Sequence, residues 1–265
     1  ALQNQTQSIH LLLDKGANKD ITDHQGNNLL HLVTRNGQKQ LCQLFLDNGF
    51  DIDATNNNGE SPLLMAVSTR KKALVDFYLA AGADPLCTTK LGNNLLHIAV
   101  QTNNLPITKA LIEAQVPVDE PDVTGATPLL RACSGNNVML VKLLLENAAD
   151  VFATSNEGIS PIYSACGYNQ KQLVKVFLEH GLDVNYQTPE SGGGMGSYLD
   201  FVESSQDLSL DSAYKAIHSY ACGGESLLHL AVKNAHVYMV DLLLKHDAEV
   251  NIQDESENTP LHYAA

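Results

Sequence analysis

The segment Gly125-Ala126-Thr127-Pro128-Leu129 decides how this chain is read. The Thr127 hydroxyl is placed to cap a helix, and Pro128 is preorganised for the first helical position. The glycine ahead of them suits a tight turn. The phrase recurs as Gly59-Glu60-Ser61-Pro62-Leu63 and as Gly158-Ile159-Ser160-Pro161-Ile162. Gly92-Asn93-Asn94-Leu95-Leu96-His97 is a variant, and Gly26 and Gly224 open phrases like it. Gly26, Gly59, Gly92, Gly125 and Gly158 stand 33 residues apart. Gly224 follows after two such steps, and one more reaches Glu257-Asn258-Thr259-Pro260-Leu261-His262. A fixed period of this length marks an array of repeats.

Small residues follow each phrase, among them Ala66, Ala99, Ala132, Ala165 and Ala231, and they let a first helix pack closely on its neighbours. A second apolar run comes next, as in Leu41 to Leu46, Leu74 to Leu79, Leu140 to Leu145 and Met239 to Leu244. Its apolar residues recur at helical spacing. Gly16, Gly49, Gly82 and Gly181 stand where such a helix needs a left-handed stop. Gln115, Ala148 and Asp247 hold the same slot in other repeats, and those three helix ends are expected to be less well stopped.

Helix, turn, helix, glycine stop and short extended link at this period resemble the ankyrin repeat. The resemblance implies an all-α ankyrin-repeat solenoid, each repeat being a short β-hairpin set against two antiparallel helices. It also implies a concave face made of hairpins and first helices, and a function as a protein-interaction scaffold or adaptor with no cofactor and no catalysis. Residues 1–187 hold a partial first repeat and five more, and residues 222–265 hold one repeat and a partial last. Residues 1–25 carry a second helix, Ser8 to Leu13, without a first, and the chain stops inside a first helix. Neither end has the polar face of a capping repeat, so a monomeric segment of a longer array is expected.

Bulk composition agrees. Of 265 residues, 44% are apolar, 6% are aromatic and none is Trp, which implies a core of Leu, Val, Ile and Ala. A formal charge of −14 repels phosphate backbones, so the expected partner is a protein with a basic or neutral surface rather than a nucleic acid. No apolar run reaches the length of a membrane span, and the first residues are not a signal peptide. Cys42, Cys87, Cys133, Cys166 and Cys222 are dispersed and odd in number, with no C-x-x-C pair, which points to a reducing, cytoplasmic setting and away from zinc.

Residues 188–221 break the pattern. Forcing the template there puts Gln206, Ser209 and Asp211 in helix-core slots. The segment reads either as a long flexible insert or as a degenerate repeat, with serines open to phosphorylation. Gly192-Gly193-Gly194-Met195-Gly196 lacks the Gly-Lys-Ser/Thr ending of a phosphate loop and reads as linker.

No catalytic constellation stands out. His31, His97, His229 and His262 share one slot, one per repeat, and no repeat offers two ligands at metal-site spacing. Leu64, Leu130 and Tyr163 replace them elsewhere. The resemblance makes this histidine a structural hydrogen-bonding residue. Cys133 and Cys166 also share a slot and read as small core residues. Asn185 and Asn251 read as turn asparagines closing the hairpin, and the resemblance adds that many ankyrin proteins are β-hydroxylated at this position.

The resemblance also locates the contact slots, beside the hairpin glycine and at the end of the first helix. Most are polar here, including His24, Gln25, Arg35, Asn36, Asn57, Asn58, Gln101 and Thr102. Leu91, Val123, Ile159 and Tyr168 are apolar or aromatic where solvent is expected, and Arg131 takes a first-helix slot held by Leu32, Ile98 and Leu230 elsewhere. Such a strip reads as partner-binding anchors or as padding between hairpins. A regulatory or mechanical segment of a larger channel, enzyme or secreted effector, and an enzyme with its chemistry in residues 188–221, are the rival functions.

Overall fold

Six of the first helices open on a side-chain cap. Asn28, Ser61, Asn94, Thr127, Ser160 and Ser226 each accept a hydrogen bond from the backbone N–H three residues on. The computed structural model describes residues 2–188 and 223–265. The expectations placed on 189–222, including Cys222, lie outside them.

Two compact bodies emerge, residues 1–123 and 124–265. The first holds α1 (Leu2–Asp14), α2 (Leu29–Arg35), α3 (Lys39–Asp47), α4 (Pro62–Ser68), α5 (Lys72–Ala80), α6 (Leu95–Gln101) and α7 (Leu105–Glu113). The second holds α8 (Pro128–Ser134), α9 (Val138–Glu146), α10 (Pro161–Gly167), α11 (Lys171–Glu179), α12 (Leu227–Lys233), α13 (Val237–Lys245) and α14 (Pro260–Ala264). Helix α1 runs longer than the Ser8 to Leu13 expected, since no proline or glycine interrupts it upstream.

First helices of seven residues are far below the roughly 12–15 residues at which an isolated helix holds in water, so stacking must supply their stability. In the first body α2 packs on α4 and α4 on α6; in the second α8 packs on α10, α10 on α12 and α12 on α14. Ala66, Ala99, Ala132, Ala165 and Ala231 are fully buried in these layers, as the sequence requires. The larger core residues Leu63, Leu64, Leu96, Leu129, Ile162 and Phe177 are equally buried, each gaining about 1.5–3 kcal/mol from leaving water.

Gln115, Ala148 and Asp247 correct one expectation. They adopt the left-handed conformation, with φ of 61°, 61° and 64°. The helix-ending bonds match those of the glycine repeats: Ala148 N–H donates to Leu145 O at 3.1 Å and Ala149 N–H to Leu144 O at 3.1 Å, as Gly49 does to Leu46 at 2.9 Å and Phe50 to Phe45 at 3.1 Å. The stop is formed in full, and the missing glycine is felt as backbone strain instead.

The hairpins also differ from expectation. Among the described residues no strand forms, and only two isolated antiparallel bridges occur, Thr88 with Asn94 and Gln187 with Ser226. Each arm enters a turn or a helix cap before a ladder can extend. Successive turns are joined instead by single bonds: Asn57 N–H to Gln25 O, 2.9 Å; Lys90 N–H to Asn58 O, 3.2 Å; Asn156 N–H to Thr124 O, 2.9 Å. The turn glycine is obligatory at Gly26, where φ is +78° and a Cβ would lie 2.8 Å from the backbone nitrogen of Asn57.

The histidines tie repeat to repeat. His31 is buried, and its Nε2 donates to the Glu60 carbonyl at 2.9 Å. His229 does the same to Asn258 O at 2.9 Å, while the Ser226 hydroxyl lies 2.8 Å from its Nδ1.

Candidate functional site

Leu91 and Val123 occupy consecutive hairpin tips of the first body. The Val123 N–H donates to Leu91 O at 3.1 Å, so the two tips are locked side by side. Their side chains are nonetheless 62% and 55% exposed, which leaves two apolar groups on a ridge that His24, Gln25, Asn57 and Asn58 otherwise make polar. Arg35 ends α2 and Asn36 caps it, and both are exposed in the same body.

In the second body Arg131 lies in the middle of α8, exposed, with its guanidinium 3.4 Å from Thr124 Oγ1. Tyr168 caps α10, the helix packed against α8. The ring is half-buried, and this burial, with the Glu157 carboxylate, pushes its phenol above the ordinary tyrosine range.

Ile159 does not belong with these residues. It is only 3% exposed. It fills the slot that Asn27, Glu60, Asn93, Glu225 and Asn258 occupy in other repeats, a rung turned inward beneath the tip. Its backbone completes the turn, with Ser155 N–H donating to Ile159 O at 3.0 Å. An apolar side chain there packs under the hairpin and is withheld from any partner.

Asn185 is used by the scaffold. Its Oδ1 accepts the Glu249 N–H at 2.8 Å, as Asp53 Oδ1 accepts the Asp84 N–H at 3.0 Å in the first body. Asn251 is exposed.

Burial governs the thiols. It pushes Cys166 up to about 12 and raises Cys42, Cys87 and Cys133 above the usual range, so none is a ready thiolate at neutral pH. Among the described residues no group of three His, Cys, Asp or Glu could hold a metal ion, and no helix is long and apolar enough to cross a membrane.

One buried cluster escapes sequence reading. The Tyr163 hydroxyl donates to Glu225 Oε2 at 2.9 Å, and Lys233 Nζ reaches Glu225 Oε1 at 2.8 Å. Its only sequence signal is a tyrosine in the histidine slot, which by itself does not name a partner in another repeat.

A family model described as ankyrin repeats (3 copies) matches residues 1–89, 69–155 and 202–265. The last match begins inside the segment that breaks the sequence pattern, and residues 156–188 lie outside all three although α10 and α11 repeat the same helix pair. No curated protein matches. Among solved structures, the chain is similar to the ankyrin repeat domain of Bcl-3, a unique member of the IkappaB protein family. The two share 25% identity with a TM-score of 0.72, over 91% of this chain and 96% of that one.

Proposed function

Since the chain belongs to the ankyrin-repeat family, we propose that it is a non-catalytic protein-interaction scaffold that grips a protein partner through its hairpin tips and first helices, the concave face of the family. The observation that carries this reading is the pair Leu91 and Val123. Two apolar side chains held on hydrogen-bonded tips, both more than half exposed, cost solubility and bring the fold little burial. Arg131 and Tyr168 offer a second footing of the residue types that dominate binding hot spots. The charge of −14 favours a basic or neutral partner surface over a nucleic acid. Free thiols at Cys42, Cys87, Cys133 and Cys166 support a reducing, cytoplasmic setting. The Bcl-3 likeness supports an interaction domain of this architecture and identifies no partner.

Affinity capture from a cytosolic extract tests the proposal, with wild type compared against Leu91→Ser/Val123→Ser and Arg131→Ala/Tyr168→Ala. Proteins retained by wild type should be lost from the variants while the melting temperature stays unchanged. Equal capture by wild type and both double variants overturns this assignment of the surface.

A further inference from the structure

A second surface lies at the foot of the hairpins, where the chain leaves the outer helices α9, α11 and α13. Phe152, Tyr186 and Val250 mark three successive feet of the second body. Phe152 is 58% exposed, Val250 54% and Tyr186 half-buried. The rings of Phe152 and Tyr186 lie 6.4 Å apart at 38°. The third foot, which carries the exposed Val250, is tied to the second by the bond from Glu249 N–H to Asn185 Oδ1.

The scaffold does not require a phenyl ring here. Phe152 stands in the slot of Asp20, Asp53, Leu86, Asp119, Asn185 and Asn251. In two of these, Asp53 and Asn185, the side-chain oxygen accepts a backbone N–H from the next foot, an acceptor that a phenyl ring cannot supply. Phe152 therefore forgoes a scaffold bond and presents apolar surface to solvent.

Each apolar foot is paired with an acid. Asp150, Asp183 and Glu249 are all exposed. Asp150 Oδ1 accepts the Phe152 N–H at 2.8 Å and Asp183 Oδ1 accepts the Asn185 N–H at 2.9 Å, which fixes two of the carboxylates beside the apolar row.

We propose that this edge docks an extended segment of a partner protein that carries alternating basic and apolar side chains. Charge selects the sign, since the row is acidic on a chain of net charge −14. Geometry selects the spacing. Packed helices lie roughly 8–10 Å apart, and an extended polyproline-like chain advances about 3.1 Å per residue, so one basic-apolar pair every third residue matches one foot per repeat. The surface differs from the hairpin tips of the proposed scaffold function and does not depend on them.

The probe is a fluorescein-labelled peptide of four Lys-Pro-Leu triplets, followed by fluorescence anisotropy with the full chain at low salt. Comparator peptides replace Lys by Glu or Leu by Ser. Wild type should bind the Lys-Pro-Leu peptide at least about tenfold more tightly than either comparator. Phe152→Ser/Tyr186→Ser should weaken binding by about tenfold or more. Asp150→Asn/Asp183→Asn keeps the turn acceptors and should remove both the discrimination against Glu and the salt dependence. Leu91→Ser/Val123→Ser should bind as wild type does. The proposal is overturned by no binding to wild type, by equal binding of the Lys-Pro-Ser peptide, by unchanged binding in both foot variants, or by loss in the tip variant alone.

Discussion

The hydroxyl of Tyr163 donates a hydrogen bond to Oε2 of Glu225, 2.9 Å away and 62 residues on in the chain. Where other repeats use a histidine to reach the backbone of the next, this one uses a phenol to reach a carboxylate that is 0% exposed. Lys233, itself mostly covered, supplies the countercharge at 2.8 Å. Removing one member of a buried polar cluster costs more than the bond itself, because its partner stays desolvated. Tyr163→Phe should lower stability by about 1–2 kcal/mol, and Lys233→Met should cost more, about 3 kcal/mol. Urea titration of the three proteins checks the order, and a Lys233→Met variant as stable as wild type contradicts it.

Ala148 is exposed, ends a helix at φ 61°, and keeps the bonds of a glycine stop. Ala148→Gly should therefore stabilise the chain by about 1 kcal/mol by relieving left-handed strain, although glycine normally costs stability by widening the unfolded ensemble. Gln115→Gly should act likewise. The readout is the denaturation midpoint at unchanged slope, and a fall in midpoint for both variants refutes the strain assignment.

Burial lowers the His31 imidazole below its ordinary 6.5, outweighing the nearby Glu60 carbonyl and carboxylate that would raise it. The unfolded chain then takes up this proton at a higher pH than the native one. The contribution of His31 is complete above 6.5 and is lost as pH falls from there to the lowered native value. Denaturation midpoints should drop on going from about pH 7.5 to about pH 5.5, and His31→Gln should reduce that drop. Asp23, lowered mainly by its bonds to Asn27, acts only at more acidic pH, so the two windows separate. An identical pH slope in the variant rules His31 out as a contributor.

Helix α10 packs directly on α12, although 34 residues, 189–222, separate the described stretches on either side. Gly224 N–H donates to Thr188 O at 3.2 Å and Thr188 N–H to Glu225 O at 2.9 Å, which closes the stack between them. Replacing 190–222 by a short Gly-Ser link should preserve the packing of α10 on α12 and the cooperative unfolding of the chain. Far-UV circular dichroism and thermal melting test this. A broad loss of cooperativity in the shortened chain would show that the stack needs the segment.

What the sequence determined by itself was the local and periodic part of this protein. The 33-residue step, the Ser, Thr and Asn caps, the prolines at 62, 128 and 161 and the alanine slots act within one or two helical turns, so they can be read without knowing what lies nearby. Five repeats of one pattern also fix which positions face inward on average. The tertiary structure decided what depends on a neighbouring repeat. Ile159 is hidden because the rung it occupies turns under its own hairpin, whereas Leu91 and Val123 stay exposed on tips that hydrogen-bond to each other. Gln115, Ala148 and Asp247 accept left-handed backbone because their helices are already held by packing on the first helix of their own repeat. Tyr163 finds Glu225, and Phe152 finds Tyr186, because stacking brings side chains from different repeats together. Contacts of that kind are set by three-dimensional register, for which a residue's sequence neighbours carry no energy term.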